Sequence, residues 1–271
     1  MSRGPLLFTS CQAPIAEKLC AGIVAYVGRR LGRDVAFIDA IPWEQRLREF
    51  DAGRIDVCWM CGLPYVWRAD GGEADIELLA ALVPAGRRYE DRPQYFSDVV
   101  VRRDSRWSSF ADLEGATWSY NEPSSHSGFN ATRQRLARMG KERGFFGAVV
   151  MAVSHEESLR RLLAGEVDAT AVDSTVLDLF AQSDPEGAQR LRTIDGFGPS
   201  PSPPWVIGRG VPEPLRAEIR AAVLGMAEDA GGRDVLAGGL AARFAAVTDA
   251  DYDPIRRIAR EAQAVDLSGH D

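Results

Sequence analysis

Asn121-Glu122-Pro123-Ser124-Ser125-His126-Ser127-Gly128-Phe129 is a polar turn between two periodic segments. Before it, residues 116–120 read as a short strand; after it, Phe129, Leu136 and Met139 recur on one helical face until Gly140 ends the pattern. Strand, turn and amphipathic helix in that order are the building unit of an α/β fold, whose ligands gather at the turns after the strands. Ser124 or Ser125 is the N-cap. The next backbone N–H groups, near His126, Ser127 and Gly128, lack intrahelical acceptors and lie at the positive end of the helix, where an oxyanion can take them. An ordinary N-cap needs one such side chain. This turn carries three serines, a histidine and a glycine that lets a ligand approach the backbone, and that surplus points to an anion seat.

The alternation extends in both directions. Upstream, strands at 6–9, 35–38, 55–60 and 76–83 are separated by helices. The first starts near Pro14, carries Ile15, Leu19, Ile23, Val27 and Leu31 on one face and closes at Gly32; the second holds Trp43, Leu47 and Phe50; the third opens at Gly62-Leu63-Pro64. Downstream, strands at 146–153 and 167–172 alternate with helices at 155–164 and 175–182. Residues 95–103 and 191–197 are extended, 105–113 form a helical turn, and Gly198-Pro199-Ser200-Pro201-Ser202-Pro203-Pro204 is a stiff connector before a last strand at 205–207. Helices follow, broken at Gly231-Gly232 and Gly238-Gly239, with a final one over 252–265.

This pattern predicts parallel sheets covered on both faces. Two such units joined by extended crossings predict two lobes with a central cleft: lobe 1 from 1–97 and 204–271, lobe 2 from 98–203. The anion turn, Ser154-His155, Thr9-Ser10-Cys11 and Met60-Cys61-Gly62 would then all fall at the carboxyl ends of strands.

A chain of 271 residues with 45% hydrophobic residues can bury a large core, which excludes a disordered chain. A net charge of -7, with arginine pairs scattered along the chain, argues against nucleic acid as a partner. No apolar run approaches the roughly 20 residues of a membrane span. The first ten residues have too little apolar length for a signal peptide, so the chain reads as cytoplasmic unless an export signal was removed.

Cysteines stand at 11, 20, 58 and 61. Cys58-Trp59-Met60-Cys61 has the spacing of redox and zinc motifs, but a strand over 55–60 would hold its two Cα atoms about 10 Å apart, too far for a disulfide. Free thiols are expected. If the first and third strands are neighbours, Cys11 and Cys61 approach the ligand site while Cys20 and Cys58 stay in the core; the plainer alternative is four small buried residues. Ser154-His155-Glu156-Glu157 matches a capping box, which sets His155 in the first turn of a helix where it can reach a ligand oxygen. His126 and His155 are the only histidines apart from His270, too few for a metal site without other ligands. Asp168 and Asp173 read as solvated or capping residues. No nucleophile elbow, phosphate-binding P-loop, dinucleotide fingerprint or zincin motif is present.

These residues resemble the substrate-binding proteins of phosphate/phosphonate ABC transporters, the phosphonate-binding branch of the two-lobed periplasmic binding proteins. Ser125-His126-Ser127-Gly128 lies where that family carries Ser-Thr-Ser-Gly at the helix that binds the phosphonate oxygens. Ile55-Asp56-Val57-Cys58-Trp59 resembles the strand before its cleft turn, Tyr95-Phe96-Ser97-Asp98-Val99-Val100-Val101 its first crossing strand, Asp112-Leu113-Glu114-Gly115 its Asp-Leu-x-Gly turn, Ser154-His155-Glu156 its Gly/Ser-His pair, and Gly165-Glu166-Val167-Asp168-Ala169 its Gly-x-Val-Asp. The resemblance implies an α/β, type 2 periplasmic-binding-protein-like fold and ligand-binding roles for Ser125, Ser127, Tyr95 and His155. The turn and strand-end reading adds Ser124, His126, Ser10, Met60 and Cys61. Met60 stands where aminoalkylphosphonate binders have a tyrosine, and the acids that hold the ligand amine in those binders correspond to Thr175 and Pro203. An unpaired buried ammonium is unfavourable, so the ligand expected is an oxyanion without an amine.

The expectation is a monomeric solute-binding protein for phosphate, phosphite or a phosphonate. It would close two lobes on a small anionic ligand without chemistry, without metal or cofactor, alongside an ABC permease. Two alternatives share the fold: an enzyme resembling the pyrimidine synthases of thiamine biosynthesis or menaquinone-pathway enzymes, and an intracellular ligand sensor.

Overall fold

The structure, a computed structural model, describes residues 4–72 and 75–267; His270 lies outside them. The chain opens with β1 (Leu6–Ser10), α1 (Glu17–Leu31), β2 (Val35–Ile38), α2 (Trp43–Asp51), β3 (Val57–Trp59), α3 (Gly62–Gly71) and β4 (Ile76–Pro84). Leu19, Ile23 and Val27 are the buried stripe of α1, and Gly32 ends that helix in the left-handed conformation at φ 60. Next come β5 (Gln94–Arg102), β6 (Thr117–Tyr120), a π-helical turn (His126–Asn130) running into α4 (Ala131–Arg138), β7 (Ala148–Met151), α5 (His155–Ala164), β8 (Ala169–Asp173), α6 (Ser174–Ser183), α7 (Pro185–Gln189) and β9 (Leu191–Pro201). The chain ends with β10 (Pro204–Gly208), α8 (Glu213–Leu224), α9 (Ala230–Gly238), β11 (Ala241–Ala245) and α10 (Asp253–Glu261).

Contacts divide the chain into two compact units: Met1–Gln12, Ala16–Gln94 and Pro201–Tyr252 form one, and Ala13–Ile15, Tyr95–Ser200 and Asp253–Asp271 the other. The assignment of 253–267 to the first lobe therefore needs correction; 268–271 lie outside the described residues. Three side chains carry the reason: Gln134 and Arg138 of α4 both donate to the Glu261 carboxylate, at 2.7 and 2.9 Å, and Arg133 donates to the Val265 carbonyl at 2.8 Å. Val265 and Leu267 also enter the apolar cluster of the second unit.

The first unit holds a six-stranded sheet in the order β11-β4-β10-β3-β1-β2. β1 runs parallel to β2 and β3, whereas β10 is antiparallel to both β3 and β4. The sheet is thus mixed rather than parallel. Trp205 of β10 is fully buried and stacks on Trp59 of β3 with ring centroids 5.6 Å apart. The second unit holds a five-stranded sheet in the order β7-β6-β8-β5-β9, with β6 parallel to β7 and β8, and β5 antiparallel to β8. Its core is aromatic: Phe110, Trp118, Phe145 and Phe146 pack with centroids 4.7–6.0 Å apart.

Three local expectations also change. The connector at 198–204 is strand as far as Pro201. Residues 241–245, expected in a helical tail, form edge strand β11. Gly231-Gly232 does not break a helix but opens one: Asp229 caps α9 by accepting the Gly232 N–H at 2.9 Å, and a Cβ at Gly232 would lie 2.0 Å from the Met226 carbonyl oxygen.

Candidate anion-binding site

The polar turn lies in the second unit, after β6, and is buried at Ser125, His126, Ser127, Gly128 and Asn130. Ser125 is the N-cap: its backbone is extended and its Oγ accepts the Gly128 N–H at 3.0 Å. Of the three N–H groups expected to face a ligand, the one on Gly128 is therefore used by the cap. The helix opens with one wide turn, in which the Asn130 N–H donates to the Ser125 carbonyl and the Ala131 N–H to that of His126. Such π-turns recur at functional sites.

Ser127 joins this turn to α5. Its Oγ is 3.1 Å from His155 Nε2, and its carbonyl accepts the Ser97 hydroxyl of β5 at 2.6 Å. His155 is placed by its own cap, Ser154 Oγ accepting the Glu157 N–H at 3.0 Å. Only this half of the expected capping box is built, because the Glu157 carboxylate pairs with Arg160 and Arg161. Gly128 is obligatory by packing: a Cβ there would lie 2.0 Å from Asn121 Oδ1 and 3.2 Å from His155 Cε1.

The His126 ring is hydrogen-bonded within the unit. One ring nitrogen, Nε2, is 3.0 Å from Ser200 Oγ and the other, Nδ1, 3.2 Å from the Asn130 amide nitrogen, so both are engaged within the unit. Tyr95 is buried with its ring edge-on to His126, centroids 6.4 Å apart. Burial pushes both His126 and His155 down to about 4, so both are neutral at pH 7. The turn from Ser124 to Phe129 then offers hydrogen-bonding dipoles and no formal charge. Three buried polar atoms in these segments have no hydrogen-bond partner among the described residues: Ser124 Oγ, Asn121 Oδ1 and His155 Nδ1. Unpartnered buried polar atoms are uncommon in folded proteins, and these three lie in the turn and on His155, which the turn contacts.

Ser10, Met60 and Cys61 belong to the first unit, at the carboxyl ends of the parallel neighbours β1 and β3. Ser10 is buried and its Oγ accepts the Gln12 N–H at 3.1 Å; Met60 is buried with its N–H on the Pro204 carbonyl; Cys61 precedes α3 as its N-cap. Thr175 donates both its N–H and its hydroxyl to Asp173 Oδ1, at 2.8 and 2.7 Å. The acid beside the expected amine-binding position is thus the cap of α6, and burial raises its carboxyl to about 6. Pro203 offers only a carbonyl, which accepts the Trp59 indole N–H at 3.2 Å. Sequence reading missed Asn121, Ser97, Asn130 and Ser200 as members of this network; of these, only Asn121 lies inside the polar turn where it could have been singled out.

The family of phosphonate ABC transporter periplasmic substrate-binding proteins matches residues 8–252 of the chain. The chain belongs to that family. Among solved structures, a binding-protein component of an ABC phosphonate transporter from Pseudomonas aeruginosa is similar at a TM-score of 0.83 and 19% identity, over 97% of this chain and 87% of that one. PhnD1 from Prochlorococcus marinus, in complex with methylphosphonate, is similar at a TM-score of 0.83 and 17% identity, over 96% and 98%. A Xanthomonas citri protein bound to ATP follows at 0.73 and 17%, over 96% and 98%. The fold is that of the two-lobed periplasmic binding proteins.

Proposed function

We propose that this chain is the substrate-binding protein of an ABC phosphonate transporter, and that it takes a small phosphorus oxyanion without an amine: methylphosphonate, phosphite or phosphate. The observation that carries this reading is the buried turn in which Ser125, Ser127 and His155 are held by caps and cross-bonds while neighbouring polar atoms stay unpartnered. Ser125 Oγ accepts from Gly128 and so keeps its proton for a ligand oxygen. Ser124 and Tyr95 are secondary contact positions in this proposal, and His126 shapes the turn.

Binding without chemistry is the favoured outcome. A serine beside a histidine resembles a nucleophile and its base, but among the described residues His155 Nδ1 has no carboxylate or other partner to orient it. The chain acts as a monomer that delivers its ligand to a permease.

Thermal shift and calorimetry with phosphate, phosphite, methylphosphonate, 2-aminoethylphosphonate and sulfate test the proposal. A ligand present at a hundred times its Kd stabilises the folded protein by about 2.7 kcal/mol, a readily measured shift. Methylphosphonate or an inorganic phosphorus oxyanion is expected to give it, and 2-aminoethylphosphonate to give less. If none of the phosphorus oxyanions shifts the transition, or if the aminophosphonate binds best, the assignment fails.

A further inference from the structure

Outside the candidate site, two reactive side chains meet in the first unit: Cys11 Sγ lies 3.7 Å from Cys58 Sγ. The sheet makes this contact. Thr9 is the register partner of Cys58 on the parallel pair β1 and β3, and the Cys11 N–H donates to the Trp59 carbonyl at 2.9 Å. Cys11, two residues beyond Thr9, therefore lies on the same face of the sheet as Cys58. All four cysteines are free; Cys58 is fully buried in the middle of β3, whereas Cys11 is half-buried just past the end of β1.

We propose that Cys11 and Cys58 form a redox-modification site, closed to an intramolecular disulfide by a small-molecule disulfide such as oxidised glutathione. Cys11 is reached from solvent first. Its thiolate attacks one sulfur of the small disulfide, that S–S bond breaks, and one glutathione thiolate leaves while Cys11 carries the other half as a mixed disulfide. Cys58 then loses its proton and attacks the Cys11 sulfur, the mixed S–S bond breaks, and the second glutathione leaves. Two protein thiols are oxidised and one disulfide is reduced to two thiols, so no further reactant is needed. Burial pushes the Cys58 thiol well above the ordinary range, which makes the second step the slower one.

Closure must bring the sulfurs from 3.7 Å to about 2 Å. Cys11 can supply that movement because it lies outside β1, before the 3-10 turn Pro14–Ala16, while Cys58 is fixed in the sheet. The family's described compartment, the periplasm, is an oxidising one in which such a pair would meet suitable oxidants.

The test uses the full chain, incubated with excess oxidised glutathione, quenched with maleimide in urea at mildly acid pH so that buried thiols are also labelled, digested with trypsin and mapped by mass spectrometry. Cys58 and Cys61 share the fragment after Arg54, so the mapping is repeated on Cys61→Ser. The expected product is a link between the Cys11 and Cys58 fragments, two hydrogens lighter than their sum, with Cys20 and Cys61 blocked by maleimide. Cys58→Ser is expected to stop at the Cys11 mixed disulfide. A mixed disulfide that persists at Cys11 in the unsubstituted protein, a link from Cys11 to Cys20 or Cys61, or maleimide on all four thiols would overturn the proposal. No oxyanion enters the measurement, so its outcome is independent of the ligand assignment.

Discussion

Ser125 and Ser127 stand two residues apart and serve the site differently. Ser125 both caps the helix and keeps a proton for a ligand; Ser127 is locked by His155 and reaches no helix N–H. Ser125→Ala should therefore lose about 1 kcal/mol of folding stability, as N-cap removal does, as well as binding. Ser127→Ala should weaken methylphosphonate by ~1–3 kcal/mol, the worth of a hydrogen bond to a charged group, or roughly 5- to 150-fold in Kd. Urea unfolding and calorimetry on both variants separate the two effects, and unchanged affinity in both would remove this turn from the site. These serines and His155 were legible because each lies beside a helix start. Ser97 and Ser200 were not: they reach Ser127 and His126 from 30 and 74 residues away, a distance in sequence that no local pattern spans.

The π-turn sets the next level. Alanine normally favours a helix over glycine by about 1 kcal/mol, so Gly128→Ala would be stabilising if propensity decided. Packing opposes it. The added Cβ would stand 2.0 Å from Asn121 Oδ1, and overpacking of that kind costs about 1–3 kcal/mol. The variant should melt lower than the parent and bind oxyanion weakly; a raised melting temperature with intact binding would show that the turn relaxes freely. Among the other elements, α5 was read to the residue because Ser154 and Gly165 cap both ends. β11 was missed because Ala-Ala-Arg-Phe-Ala has almost no alternation and becomes a strand only by pairing with β4. The expected strand over 55–60 shrinks to Val57–Trp59, the residues in register with both β1 and β10, while the Asp56 and Met60 N–H groups donate to the Leu7 and Pro204 carbonyls.

At the scale of the whole molecule, three buried groups contribute to the pH dependence near pH 5. His126 and His155 fall to about 4 in the folded chain, so the unfolded chain binds their protons more readily, and stability drops as pH falls from about 6.5 toward 4. Asp173 rises to about 6, so its contribution has the opposite sign: present at low pH and lost as pH rises through that value. Two protons against one leave a net uptake of one from these three groups on unfolding near pH 5, a slope of about 1.4 kcal/mol per pH unit toward greater stability at higher pH. The Glu157 carboxylate, held down at about 2 by Arg160 and Arg161, acts in the same direction. Asp173→Asn should steepen that slope. Urea unfolding at steps between pH 4.5 and 6 measures it, and a flat profile that Asp173→Asn leaves unchanged would contradict the burial of both imidazoles.

The sequence by itself determined the α/β class, the end of α1, both ends of α5 and the Ser125-to-Gly128 turn, because periodicity, caps and glycine conformations act over a few residues. Tertiary structure alone decided the direction of β10. A central strand buried on both faces is apolar whether it runs parallel or antiparallel, so Trp205-Val206-Ile207 carries no sign of its orientation. It also decided that residues 253–267 join the second unit, through the Glu261 carboxylate and the Val265 carbonyl, and that the His126 ring is hydrogen-bonded to Asn130 and Ser200. Each of these rests on a partner distant in the chain, and a hydrogen bond leaves no trace in the spacing of residues it does not join.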